Sequence, residues 1–403
     1  MVAKSGRRPK QMAQSGLLKP ADLSLEVVIL LFAGMAMLIL GILLFPVYAG
    51  ILPYYENGLF GLMLVVFALQ ILSMGKTPFG DMQRSATVVL CGVIIAAVGI
   101  VTCFIPGLLG IVPRIVLILF FGGGGLVLFL QMLLRKERYR LWRTYGGIFH
   151  HLIMACAAIY LMQMLIAVLI FKPDLVTGPQ MASAALVYSL SLIYLALVLQ
   201  KITRRYPPAQ ETAPSGPALS MDHATLLLMS VFMVLLGLLL LPVNLGLLPF
   251  SGSAQLGLLM VLFAIQMIAI GSTPIGAFPR VWLMILLGFV FGALGVVSCI
   301  IPNILLLPLT FLVGVLNIGG GIIGILKVTV PFLKRKKRSE LVPTILLKIN
   351  SANLVMNILT ILFGTAMLVS NLISGIILGV VLAVNGCVLF YLLRQLLFLE
   401  KGE

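Results

Sequence analysis

The stretch GILLFPVYAGILPYYENGLFGLMLVVFALQILSMGKTPFG, residues 41–80, returns 196 positions later as GLLLLPVNLGLLPFSGSAQLGLLMVLFAIQMIAIGSTPIG, residues 237–276. The match runs without a gap from 41–106 to 237–302, and 27 of its 66 positions are identical. Unrelated stretches of this composition would agree at about a tenth of positions. The chain is a duplication. Its retained residues are weighted toward Gly, Pro, Gln and Thr, so what has been kept is bends and close contacts as well as apolar character.

Around that repeat the chain is 403 residues long, 61% hydrophobic and only 9% charged, with a mean hydropathy of +1.20. Too little polar surface exists to cover a soluble domain, so lipid must solvate it. A spanning helix needs about 20 mainly apolar residues. Twelve such segments lie near 24–46, 57–74, 85–106, 113–134, 148–171, 181–201, 221–242, 255–271, 281–302, 304–329, 344–370 and 373–394. The expected fold class is therefore an all-α integral membrane protein of about 12 transmembrane helices. An even number of spans per half makes the halves parallel repeats about an axis along the membrane normal. The expected organisation is a basic tail over 1–22, a first six-helix repeat over 23–203, a Pro-rich linker over 204–220 and a second repeat over 221–400.

The net charge of +16 suggests nucleic acid until its distribution is followed. With a cytoplasmic N-terminus, every basic residue except Arg114 and Lys172 falls on the inner side, in runs such as Arg135–Arg143 and Lys334–Arg338. That satisfies the positive-inside rule and assigns both termini to the cytoplasm of a prokaryotic plasma membrane. The partners implied are the bilayer itself and anionic lipid headgroups at its cytoplasmic face, with no nucleic acid.

Within each half, outward-running segments stop near a proline: Pro46, Pro106 and Pro173, then Pro242 and Pro302. Proline lacks an N–H and disfavours helix in the residue before it, so each half reads as three helical hairpins. The outer loops keep the frame P-V-x-x-G-x-L-P at 46–53 and 242–249, read as a compact connector. On the inner side Q-x4-G-x-T-P-x-G spans Gln70–Gly80 and Gln266–Gly276, followed by Arg84 and Arg280. Here Gly75 and Gly271 stop helices and Thr-Pro imposes an extended turn. The runs Gly122–Gly125 and Gly319–Gly321 lie inside spans, where they serve close helix packing rather than phosphate binding.

Chemistry is limited by what the spans lack. No Asp, Glu, Lys or Arg falls mid-span; Glu26 and Asp222 stand at helix starts, where a carboxylate favours the N-terminus. Intramembrane ionisable groups are the usual mark of proton relays. No catalytic triad, paired carboxylates or metal-ligand spacing is present, and the five cysteines all fall in apolar segments. The protein reads as a non-enzyme without cofactor or metal. Deep amides are the remaining candidates: Gln70, Gln266, Asn317, Asn353 and Asn357 as ligand-facing polar groups, against a plain role as interhelical hydrogen bonders. Gln163, Asn385 and Tyr188 also lie deep. The pair His150 and His151 is a candidate pH sensor, because imidazole changes charge between about pH 5 and 8.

The glycines and prolines Gly34, Gly41, Phe45, Pro46, Gly58, Gly61, Gly92, Gly99, Pro106 and Gly122–Gly125, with Gly237, Pro242, Gly257, Gly288, Gly295, Pro302 and Gly319–Gly321 in the second half, give a pattern that resembles the HdeD-like family of membrane proteins. The resemblance implies a fused pair of six-helix units over residues 22–400, without catalytic residues, and a role in envelope or acid-stress tolerance. Two other functions fit the same sequence: a facilitator or secondary carrier with its site between the halves, and a membrane anchor subunit of a larger complex. A midplane cavity lined by the five amides favours the carrier; a dry interface opposes it.

Overall fold

The structure is a computed structural model and describes residues 16–21, 23–74, 76–81, 85–134, 147–205, 221–273, 276–337, 344–369 and 372–401. The first half holds α1 (Leu25–Tyr48), α2 (Glu56–Met74), α3 (Ala86–Phe104), α4 (Val112–Leu134), α5 (Ile148–Phe171) and α6 (Gly178–Arg205). The second holds α7 (Met221–Asn244), α8 (Gly252–Ile270), α9 (Trp282–Ile300), α10 (Leu306–Lys337), α11 (Thr344–Leu368) and α12 (Gly375–Lys401). Among the described residues, 11 helices are long and apolar enough to cross a membrane, and α2 adds a shorter apolar helix over Glu56–Leu72. This is a multipass, all-helical membrane protein. The bounds of α1, α2 and α3 recur 196 positions on in α7, α8 and α9, and those of α5 and α6 recur within one residue in α11 and α12, where sequence identity has faded.

Two corrections concern the prolines. Helices α3, α5 and α9 end before Pro106, Pro173 and Pro302, but α1 and α7 continue through Pro46 and Pro242 for two further residues. What ends those two helices is glycine. Gly50 and Gly246 both take φ +73. In each loop a 6→1 and a 5→2 hydrogen bond close the turn: Ile51 N to Pro46 O (2.9 Å) with Gly50 N to Val47 O (3.0 Å), and Leu247 N to Pro242 O (2.9 Å) with Gly246 N to Val243 O (3.0 Å). That is a Schellman cap, and it accounts for the frame P-V-x-x-G. The helix α10 also outruns its expected end at 329, passing through Pro331 to Lys337.

Of the hairpins read from the sequence, the third of each half packs, α5 on α6 and α11 on α12, but the first two do not. Helices joined by the outer Pro-Val loops, α1 with α2 and α7 with α8, touch little. The extensive contacts are α2 on α3, α1 on α6 and α4 on α5, and equally α8 on α9, α7 on α12 and α10 on α11. Glycine sets the closest of these crossings. A Cβ on Gly61 would lie 2.5 Å from Gly99 O, and one on Gly257 would lie 2.6 Å from Gly295 O, so α2 and α8 cross their partners backbone to backbone.

Between the halves the main helix contacts come in equivalent pairs: α1 on α9 and α7 on α3, α2 on α9 and α8 on α3, α2 on α7 and α8 on α1. Tyr55 N donates to Ile300 O at 2.9 Å, and its equivalent Ser251 N donates to Phe104 O at 2.9 Å. Cys103 and Cys299 meet there as buried free thiols, donating to Ala254 O at 3.7 and 3.6 Å. Phe104 stacks edge-on against Phe232 at 5.4 Å. Cys103, Cys299, Phe104 and Phe232 are packed and buried.

At the opposite end, Lys76–Thr77 pairs antiparallel with Gly80–Asp81, and Ser272–Thr273 with Gly276–Ala277. We call this the ladder end. Gly271, at φ +71, caps α8 as the sequence implies; Gly75 and Arg84 lie outside the described residues. Ser85 caps α3 through Val88 N, but its equivalent Val281 has no capping side chain. The chain before α1 replaces it: Pro20 bridges Val281, Ala21 N donates to Arg280 O and Trp282 N donates to Lys19 O. The end of the expected tail over 1–22 is thus a strap onto the second half. The basic run 135–143, Arg338 and the linker from 206 to 220 lie outside the described residues.

Candidate functional site

A cavity of about 540 Å³ with polar side chains in its lining lies among the helices of the first half, with Val296 of α9 completing its wall. Each surrounding helix supplies one stripe. From α1 come Glu26, Leu30, Ala33 and Met37, and from α2 come Leu59, Leu62, Val66 and Gln70. Those intervals of three and four residues put a stripe on one helical face. Helix α5 contributes Leu152, Cys156, Ile159, Tyr160 and Gln163, and α6 contributes Tyr188, Leu192, Leu195 and Leu199. Since α1 and α5 start at the ladder end while α2, α4 and α6 finish there, the cavity runs from that end toward the middle of the bundle.

Its polar groups fall in two layers. Near the ladder end are Glu26 in the first turn of α1, Gln70 in the last turns of α2, Thr77 in the ladder and Gln131 in the last turn of α4. Deeper, Gln163 Nε2 donates to Tyr188 Oη at 3.2 Å, and Gln163 Oε1 is buried without a partner among the described residues. Phe121 closes the floor, stacked edge-on with Phe67 at 5.3 Å and Tyr188 at 6.1 Å. A pocket of this size, apolar with a few fixed polar groups, has the character of a small-molecule site. Among the described residues Glu26 is its one charged lining residue, and no Lys, Arg or His among them lines it.

The ladder forms part of the rim because of the glycine run. Pro78 and Phe79 turn between the two short strands. A Cβ on Gly124 would lie 2.5 Å from Pro78 O, and one on Gly125 would lie 3.0 Å from Tyr160 O. Only glycine admits the turn on one side of α4 and α5 on the other. Phe79 stacks on Phe120 at 6.1 Å and its carbonyl accepts from Gln131 Nε2 at 3.3 Å. Here α4 takes a π-helical turn over Leu119–Gly123. Such a turn re-aims side chains and often marks functional sites. At the far end Arg114 donates from Nε and Nη2 to Ile170 O at 2.9 and 2.6 Å, tying α4 to the C-terminus of α5, where a cation is favoured.

Of the five candidate amides only Gln70 lines this cavity. Its equivalent Gln266 is half-buried on α8, outside the lining. Asn317 is buried and turns its Nδ2 back to Val313 O at 2.8 Å on its own helix. Asn357 packs its amide against Gly324 of α10, and Asn353 is half-buried on α11. The structure does not bring the five candidates together around this cavity. The histidines also separate: His151 Nδ1 lies 2.7 Å from Tyr194 Oη, while His150 is exposed without joining it. Among the described residues no three His, Cys, Asp or Glu side chains form a metal-binding group.

The sequence treated Glu26 as a helix-start charge, Thr77 as a turn residue and Cys156 as a small hydrophobe. The signal that would have united them is the stripe. Cys156, Tyr160 and Gln163 stand at i, i+4 and i+7 on α5, and Tyr188, Leu192 and Leu195 repeat that spacing on α6. No protein-family model, no curated protein and no solved structure matches this chain.

Proposed function

We propose that this is a non-enzymatic plasma-membrane protein of two parallel six-helix repeats, with the ladder end in the cytoplasm. In this reading its first half binds or carries a single-tailed amphiphile with a neutral or cationic head. The observation that carries this is the first-half cavity: an apolar shaft with Gln163 and Tyr188 at depth and Glu26, Gln70, Thr77 and Gln131 at the mouth. The tail would lie among leucine and methionine side chains, while carboxylate and amide oxygens receive the head. A carboxylate head would meet Glu26 and be disfavoured. The carrier function would then belong to the interior of one half rather than to a rocking interface, which agrees with the close packing between the halves. Membership of the HdeD-like type, and with it envelope or acid-stress tolerance, is part of the same proposal on the glycine and proline pattern alone.

Cys156 provides the test. In a variant with the two exposed cysteines replaced (Cys91→Ala, Cys387→Ala), reconstituted in lipid discs, N-ethylmaleimide should modify Cys156 through the cavity. Dodecylamine or dodecanol should slow that reaction by about tenfold, dodecanoate much less, and Glu26→Gln should narrow the difference between amine and acid. Equal rates with and without all three amphiphiles would remove the proposal.

A further inference from the structure

The second half carries a different pocket at the same positions of the repeat. A groove of about 570 Å³ runs between α7, α11 and α12. Six of its lining residues are the 196-residue equivalents of cavity-lining residues in the first half. Two of the exchanges move polarity toward the membrane surface: Leu152 becomes Lys348, near the start of α11 at the ladder end, and Leu195 becomes Tyr391. Two remove it from the depth: Cys156 becomes Ala352 and Tyr188 becomes Val384. The remaining wall is mainly apolar, with Leu238 and Leu241 from α7, and its Ser351 hydroxyl donates to Leu347 O on its own helix. Lys348 and Tyr391 are both exposed, and among the described residues no carboxylate lines the groove. Arg394, one turn beyond Tyr391 on α12, is exposed at the same end with its guanidinium over the Phe398 ring.

We infer that this groove holds an anionic phospholipid of the surrounding bilayer. One acyl chain lies along the valines and leucines, and the phosphate accepts from the Lys348 ammonium and the Tyr391 hydroxyl. The groove opens sideways on a face that the apolar helices turn to lipid, so a hydrocarbon chain is its natural cover. The Lys348 ammonium, with no carboxylate beside it among the described residues, selects the sign of the lipid. The site rests on the comparison of equivalent positions and is independent of what the first-half cavity binds.

The experiment is lipid retention. Protein reconstituted in equal phosphatidylglycerol and phosphatidylcholine, then extracted in mild detergent and washed, is analysed by mass spectrometry for bound phospholipid. The wild type should keep phosphatidylglycerol over phosphatidylcholine. Lys348→Leu, which installs the residue of the first half, should reduce that preference roughly fivefold. Lys348→Arg should preserve it, and Glu26→Gln, in the other pocket, should leave it unchanged. Retention of both lipids in the bilayer ratio by the wild type, or an undiminished preference in Lys348→Leu, would overturn the inference.

Discussion

The two halves are alike at their helix ends and unlike in their middles. Both close α1 and α7 with the same glycine cap, both cross α2 and α8 over their partners at a glycine pair, and both exchange one backbone hydrogen bond across the interface. Yet the first half encloses a cavity along α1 and α2, whereas at the matching positions of α7 and α8 the second is filled. Ala33, Ala36 and Val66 line the cavity half-buried; Met229, Phe232 and Leu262 are buried. The consequence is visible in α8, whose residues Leu258–Ile265 are all buried, while α2 keeps Met63, Val66, Phe67 and Gln70 open to the cavity. Duplication retained the geometry of chain reversal and crossing. Side-chain volume then separated the half whose first two helices line a cavity from the half whose corresponding helices are filled.

The comparison breaks most readily at Phe232. Phe232→Ala, the first-half residue, removes a fully buried ring stacked on Phe104. It should cost about 3–5 kcal/mol, read as a fall in thermal unfolding temperature in detergent. A negligible fall would mean that the interface between the halves is not the packed core described. Next come the crossings. Gly61→Ala and Gly257→Ala should each cost about 1–3 kcal/mol, because the added methyl meets a backbone carbonyl that cannot move freely; very unequal losses would show that the crossings are not equivalent.

Smaller effects sharpen the likeness of the loops and the difference of the middles. Gly50→Ala and Gly246→Ala place a Cβ at φ +73 with open space around it. Each should cost about 1 kcal/mol from backbone conformation alone, and Gly→Asn should cost less. Smallest in stability is Ala36→Phe, which puts the second-half side chain into the cavity and should change stability by within about 1 kcal/mol. Its effect should appear instead as loss of amphiphile protection at Cys156. Persistent protection would place the bound molecule elsewhere.

Much of the frame was legible from residue types whose effect is local. Gly271 as a helix cap and Pro106 and Pro302 as stops follow from the backbone conformations those residues allow. Pro46 and Pro242 misled because a proline near a C-terminus forfeits one hydrogen bond without forcing the turn, which the glycine four residues later makes. Hairpin pairing held for α5 with α6 and α11 with α12 but misled for the first two hairpins of each half, for a different reason. Adjacency in sequence limits how far apart two helices start, but the close approach of Gly61 to Gly99 and of Gly257 to Gly295 decides which pairs share a face.

The amides show the same division. Asn317 and Asn357 are satisfied by a carbonyl of their own helix or seated against a glycine, while Gln163 and Gln70 reach a cavity; all four look alike as letters in an apolar run. By itself the sequence determined that the chain is duplicated, spans a membrane many times and bends at named glycines, because composition and backbone freedom act residue by residue. Only the tertiary structure decided that helices 2 and 3 pair, that the halves meet through packed residues and that a cavity opens along α1 and α2 of the first. Those outcomes depend on the volumes of side chains brought together from distant helices, and no single position carries that information.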